Sequence, residues 1–373
     1  MRWRGRHYRT GEPIDVVCNQ DRIQQIESSG SERPDREAQW IAPGFFDLQI
    51  NGCLGIGFGA PDITVEKIRI VVDECRRHGI VELLPTIITG SFENLSRGFA
   101  TLAKARAEDP ALARAIPGYH LEGPYLSPED GPRGAHPREH IRKPNWDEFR
   151  RLQDAAEGGI RLVTLAPEID GAIPFIEKLV AQNVVVAIGH TAAGSADIAA
   201  AANAGAKLST HLGNGSHAVL PRHPNYIWDQ LAHDALWASI ICDGHHLPAS
   251  VIQCMVRVKT PERTILACDA GPLAGMPPGC YRDWGQELEV LPEGKIVVPG
   301  TRFLAGSWAF TDRCVGHAIE AAGVSLADAI DMASSRIHEL FAMPPRGLEA
   351  GHSAELIAFD WSPGQPLSIR HAT

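Results

Sequence analysis

Side chains able to bind a metal or move a proton stand at the ends of apolar runs along this chain. In order they are Asp47, Gln49 and Asn51; Thr86; Glu122; Glu168; His190; His211; Asp243 with His245 and His246; and Asp269. Taken alone, each has an ordinary structural reading, since an isolated histidine commonly caps a carbonyl or packs at a rim. Their joint position is what a random scatter would not produce. Glu122 lies in His120-Leu121-Glu122-Gly123-Pro124-Tyr125, where Gly and Pro turn the chain directly after an apolar run and fix the carboxylate at its tip. His190 follows Val186-Ala187-Ile188-Gly189, and His211 follows Leu208-Ser209-Thr210. One carboxylate and two imidazoles make the ligand set of a catalytic zinc site, with a coordination position left for water whose pKa the metal lowers. Hydrolysis of an amide also needs a base to take the water proton and an acid to return it to the leaving nitrogen, and one carboxylate can do both. Asp269, after Ile265-Leu266-Ala267-Cys268, is the candidate; its alternative role is a cap on the following turn.

The elements that must position these groups alternate. Apolar runs at residues 42–50, 80–88, 116–121, 160–165, 184–188, 207–210, 237–242 and 264–268 read as strands, with amphipathic helical stretches between most of them. The helix expected over 63–78 has Asp62 or Thr64 as its starting signal, and the one over 195–204 has Gly194-Ser195; both end near glycine, at Gly79 and Gly205. Eight β-then-α units in roughly 300 residues suit a (β/α)8 barrel of the TIM type, in which strand C-termini converge on one mouth. A β-hairpin around Gly294, near 285–299, interrupts the pattern before a final helical region from Thr311. The first 40 residues and residues 347–360 both have strand character, so the two ends are expected to share one small β module.

Composition narrows the partners. With 35 Lys plus Arg against 45 Asp plus Glu, the net charge of -10 argues against nucleic acid. No window approaches the 18 or so apolar residues of a membrane span. Met1-Arg2-Trp3-Arg4 is followed by Thr10-Gly11-Glu12-Pro13 rather than an apolar stretch, so no export signal is expected. The eight cysteines form no CxxC and several lie in apolar runs, the pattern of free thiols in a reducing compartment such as the cytoplasm.

An ordered series of segments resembles the amidohydrolase superfamily and, within it, the N-acetylglucosamine-6-phosphate deacetylases. The series is Pro43-Gly44-Phe45-Phe46-Asp47-Leu48-Gln49-Ile50-Asn51-Gly52, His120-Leu121-Glu122-Gly123-Pro124, Gly134-Ala135-His136, Gly189-His190-Thr191, Ser209-Thr210-His211-Leu212, Asp243-Gly244-His245-His246 and Leu304-Ala305-Gly306-Ser307. The resemblance implies a barrel over 43–343 and a small β-sandwich from 1–42 and 344–373. It implies one divalent metal on Glu122, His190 and His211, with zinc first and iron, cobalt or nickel compatible with the same ligands. Gln49 and Asn51 stand where many superfamily members carry His-x-His, leaving a vestigial second metal site. It further implies Asp269 as the catalytic aspartate, His136 at the acetyl carbonyl, substrate contacts from Ala135, Asn214, Gly215, Arg222, His246 and Ser307, and a homodimer. The expected reaction is release of acetate from an amino sugar, foremost N-acetylglucosamine 6-phosphate.

The runs Leu212-Gly213-Asn214-Gly215-Ser216 and Ala270-Gly271-Pro272-Leu273-Ala274-Gly275 depart from the family pattern, which keeps open another N-acyl or cyclic amide, or an unphosphorylated amino sugar. A non-catalytic scaffold is the third reading, and it gives no reason to keep these groups together. A dinucleotide site at Gly55-x-Gly57-x-x-Ala60 fails because Pro61-Asp62 begins a separate helix where the fingerprint needs a continuing one.

Overall fold

The structure, a computed structural model, describes residues 1–301 and 303–373. Eight parallel strands form one sheet in chain order: Phe45–Ile50, Ile80–Ile88, Tyr119–Glu122, Ile160–Leu165, Val185–Ile188, Leu208–Ser209, Trp237–Ile240 and Thr264–Leu266. The sheet closes between its first and last members through a parallel bridge from Ile50 to Ala270, where Asn51 N donates to Ala270 O at 2.8 Å. This is the expected TIM-type barrel, and every expected barrel strand is present, several trimmed by a few residues. The run expected over 42–50 divides at Gly44, whose missing side chain lets the backbone pass against Val81.

The helix after the first strand shows how the sequence builds each unit. Thr64 caps Val65–Arg77 by accepting from Lys67 N, Glu66 lies in its first turn and Arg76 and Arg77 in its last. Val65, Ile68, Val71, Val72 and Cys75 recur at helical spacing and are buried. The chain then reverses at Gly79, with φ of 79°, where a side chain would press on Phe45 and Ile369 at 3.1 Å.

The barrel interior is layered. Phe46, Leu48, Leu84, Leu162, Ala187, Leu208, Ile265 and Ala267 fill its lower half, and Ile337, Leu340 and Phe341 seal it from below. Above them lies a polar layer in which His120 Nδ1 meets Thr86 Oγ1 at 3.2 Å and His120 Nε2 meets Thr164 Oγ1 at 2.8 Å. Thr164 continues to Thr210 Oγ1 at 2.7 Å. The ionisable groups sit one step higher, at the mouth.

Both chain ends enter one six-stranded sheet, made of Arg2–His7, Pro13–Asn19, Arg22–Ser28, Arg36–Pro43, Leu356–Asp360 and Ser368–Ala372. Tyr8 and Arg9 tie it to the barrel side, both hydrogen-bonding Asp331 Oδ1, at 3.0 and 2.8 Å. The insertion expected as a hairpin is a three-stranded antiparallel sheet, Gly279–Asp283, Gln286–Leu291 and Lys295–Val297. Its first strand escaped the sequence pattern because none of its five residues is buried, so no apolar alternation marks it.

Candidate metal centre and active site

Four buried side chains meet at the mouth. Glu122 Oε1 lies 3.1 Å from His211 Nε2 and 3.3 Å from His190 Nε2, and the two imidazole nitrogens are 3.1 Å apart. His136 Nε2 lies 3.3 Å from His190 Nε2, and Glu122, His136 and His190 present ligand atoms within 4.8 Å of one another. Each of the four is at most 7% exposed.

Local backbone aims these groups. His190, His211 and Asp269 follow their strands with φ of 51°, 29° and 53°, a left-handed conformation that L-residues adopt at a cost of order 1–3 kcal/mol. The bend turns each side chain from the strand direction towards the barrel axis. Two loops then clamp the His190 ring. A side chain on Gly215 would meet His190 Nδ1 at 2.6 Å and one on Gly134 would meet its Cε1 at 3.2 Å, so both faces of the clamp need glycine. His190 Nδ1 lies 2.8 Å from Pro132 O, an acceptor that places the proton on Nδ1 and leaves the Nε2 lone pair facing the cluster.

This arrangement fits a divalent cation. A tetrahedral shell with metal–ligand bonds of about 2.0–2.1 Å has ligand–ligand edges of about 3.3 Å. The separations among Glu122, His190 and His211 are of that size. Among the described residues no Lys or Arg pairs with Glu122. Burial would push its carboxyl up, but the adjoining His190 and His211 imidazoles outweigh burial and hold it well below the usual range. Burial lowers His136 far below an ordinary imidazole, so it is neutral, and its Nδ1 meets Thr89 Oγ1 at 2.8 Å.

Two amides hold the two carboxylates. Gln49 Nε2 donates to Glu122 Oε1 at 2.9 Å, and Asn51 Nδ2 donates to Asp269 Oδ1 at 2.7 Å. Burial, then the Glu122 charge, pushes the Asp269 carboxyl up to about 7. That value suits a group that must both accept and return a proton near neutrality.

The remaining expected residues are spread around the mouth. Asp243 accepts from the backbone N–H of His245 and His246 at 2.8 and 2.9 Å and pairs with His246 Nδ1 at 2.7 Å, which orients that ring. Ser307 Oγ donates to the same carboxylate at 3.2 Å. Asn214 lies on the loop after His211 with a buried, unpartnered Nδ2 among the described residues, and Ala135 borders the cleft. Arg222 is exposed and is not brought to the cluster. Glu168 serves the fold: it accepts from Ala192 N at 2.6 Å and from Thr191, bracing the turn after His190.

Sequence reasoning passed over His120, Thr89, Thr164 and Thr210. His120 had a usable signal, because it stands two residues before Glu122 and so shares its face of the strand. The threonines had none, since a hydroxyl in a strand is ordinary.

Residues 40–369 match the amidohydrolase family. An N-acetylgalactosamine-6-phosphate deacetylase from Escherichia coli O157:H7 is 33% identical over 90% of this chain and 89% of its own. An N-acetylglucosamine-6-phosphate deacetylase from Bos taurus is 33% identical over 86% of this chain and 79% of its own. The crystal structure of N-acetyl-D-glucosamine-6-phosphate deacetylase from Mycobacterium smegmatis superimposes with a TM-score of 0.89 at 30% identity, covering 100% of this chain and 98% of that one.

Proposed function

Since the chain belongs to the amidohydrolase family and, within it, to the N-acetylglucosamine-6-phosphate deacetylases, we propose that it hydrolyses the N-acetyl group of an amino-sugar 6-phosphate, foremost N-acetylglucosamine 6-phosphate. The products are acetate and the free amine. The observation that carries this reading is the closeness of Glu122 Oε1 to the Nε2 atoms of His190 and His211, 3.3 and 3.1 Å, beside a half-buried Asp269.

Glu122, His190 and His211 hold one divalent ion in this reading. Zinc is the ion such ligands suit first, and iron, cobalt and nickel are accepted by the same donors. When bound, the ion supplies Lewis acidity, lowering the pKa of water and polarising a carbonyl. His136, neutral and braced by Thr89, donates from Nε2 to the acetyl carbonyl oxygen as negative charge develops there. Asp269 takes the proton of the attacking water and delivers it to the leaving nitrogen, and Asn51 keeps its carboxylate aimed. Gln49 and Asn51 occupy a second metal position as amides, which favours a single ion. Ala135, Asn214, Gly215, His246 and Ser307 orient the sugar. Arg222, exposed on its own chain, serves the phosphate of the neighbouring subunit in a homodimer.

The barrel of 43–343, with its insertion, is the catalytic unit, and 1–42 with 344–373 form the supporting β domain. Six of the eight cysteines are buried free thiols, in keeping with work in the cytoplasm. Among the described residues no helix is long and apolar enough to cross a membrane.

The test is acetate release by metal-loaded protein from N-acetylglucosamine 6-phosphate and N-acetylgalactosamine 6-phosphate, beside unphosphorylated N-acetylglucosamine and a panel of N-acyl amino acids. Preference for a phosphorylated sugar supports the reading and its stereochemistry follows from the better substrate. Release only from the amino acids would overturn it.

A further inference from the structure

We infer that the cleft is open on the acyl side, so that the enzyme hydrolyses N-acyl amino sugars carrying straight acyl groups of three to four carbons as well as acetyl. The inference rests on the deacetylase reading above. Beside the cluster lies a cavity of about 620 Å³, the size of a site for an ordinary metabolite. Asn51 and His136 border it, and its further lining includes Ala60, Ile87, Asn94 and Trp284. Asp269, Asn214, His246 and Ser307 are not among its lining residues.

The direction of the acyl chain follows from the bonds that change. Water's oxygen forms a bond to the carbonyl carbon, the C–N bond breaks, and the water proton taken by Asp269 passes to the departing nitrogen. The attacked carbon therefore carries two oxygens, a nitrogen and the acyl chain. One oxygen faces His136, and the other enters from the cluster. The nitrogen must face Asp269, which receives and returns the proton and meets the cavity wall only through its hydrogen bond from Asn51. The acyl carbon is the substituent left to point past His136 and Asn51 into the cavity. An acetyl group puts a single methyl there and leaves most of the space unfilled. Ile87 and Ala60 are apolar members of its lining that a longer chain would meet.

The experiment compares kcat/KM for the N-acetyl, N-propionyl and N-butyryl derivatives of glucosamine 6-phosphate, reading the free amine, in the wild type and in two separate variants, Ala60→Phe and Asn94→Phe. Ala60 sits in a turn closed by its own N–H to Gly57 O at 3.1 Å, so the larger side chain enters the cavity without opening a core. A pocket fitted to acetyl rejects each added methylene by about 10–200-fold. The wild type is expected to keep propionyl and butyryl within about tenfold of acetyl, and each variant to lose about 100-fold on butyryl while acetyl turnover stays. Wild-type release from the acetyl compound alone overturns this inference and leaves the deacetylase reading standing. So does loss of acetyl turnover in both folded variants, which would place the sugar itself in the cavity. Release from none of the three overturns the deacetylase reading and this inference with it.

Discussion

The barrel holds a buried carboxylate–histidine cluster at each end, built from the same residue types and put to different ends. At the closed end Glu82 meets His338 Nε2 at 2.7 Å and Arg346 at 3.3 Å, and Arg346 also pairs with Glu355. A guanidinium therefore supplies permanent positive charge from within the chain, and the cluster clamps the second strand to the segment leading into the C-terminal strands. At the mouth Glu122 meets imidazoles and the neutral Gln49 amide, and no Lys or Arg, among the described residues. Residue type alone does not separate a structural ion cluster from a metal centre. Whether the chain brings its own cation does.

Substitutions can break that contrast, beginning with the largest effect. His211→Asn is expected to leave the barrel folded, drop metal content per chain towards zero and take turnover to background. Elemental analysis after dialysis checks it, and full occupancy would remove His211 from the ligand set. Asp269→Asn is expected to keep metal content while kcat falls by about 10²–10⁴-fold, the usual worth of general acid–base help. Near-normal turnover would take the proton-transfer role from Asp269. At the other end, Arg346→Met leaves two carboxylates without their cation, and breaking a buried pair in this way costs about 3–5 kcal/mol. Urea unfolding should show that loss with metal content unchanged, and loss of metal in the folded variant would show that the two ends are not independent.

The smallest effect is a pH dependence of the metal-free protein. The Asp269 carboxyl is at about 7 in the fold, above its ordinary value of 3.8, so the native state keeps a proton that the unfolded chain has released between those pH values. Its contribution to stability is complete below about pH 4 and is lost as pH rises through 7. Metal-free Asp269→Asn should therefore be more stable than the metal-free wild type at pH 8, by one to about 4 kcal/mol, with the gap closing towards pH 4. A constant gap across that range would mean that the fold does not hold the carboxyl in its uncharged form.

The mouth was more legible in the sequence than the closed end. Glu122, His190, His211 and Asp269 each end an apolar run, and strand direction alone carries such tips to one place. Asp243 and His246 share a similar position. Glu82 and His338 are 256 residues apart, and only their hydrogen bond reveals the pairing. The strand Gly279–Asp283 lacked a buried face to announce it. Arg222 follows from its place in a motif, and the fold leaves it in solvent, because a motif match does not say whether a loop reaches the mouth. The family resemblance implies His136 at the acetyl carbonyl, and in the fold its ring lies against His190, with centroids 4.3 Å apart. Loop residues of this kind acquire neighbours only when the loop is folded.

The left-handed bend at His190, His211 and Asp269 also limits which sequences can be reached by mutation without losing the site's shape. At those positions Asn, Asp, His and Gly keep the backbone at small cost, while β-branched residues oppose it. A random library at these codons would mix two kinds of failure, lost chemistry and lost geometry, in the same phenotype. Drawing replacements from the short set that tolerates the bend keeps the two apart, and it marks the nearby sequences from which a different chemistry on this barrel could be selected.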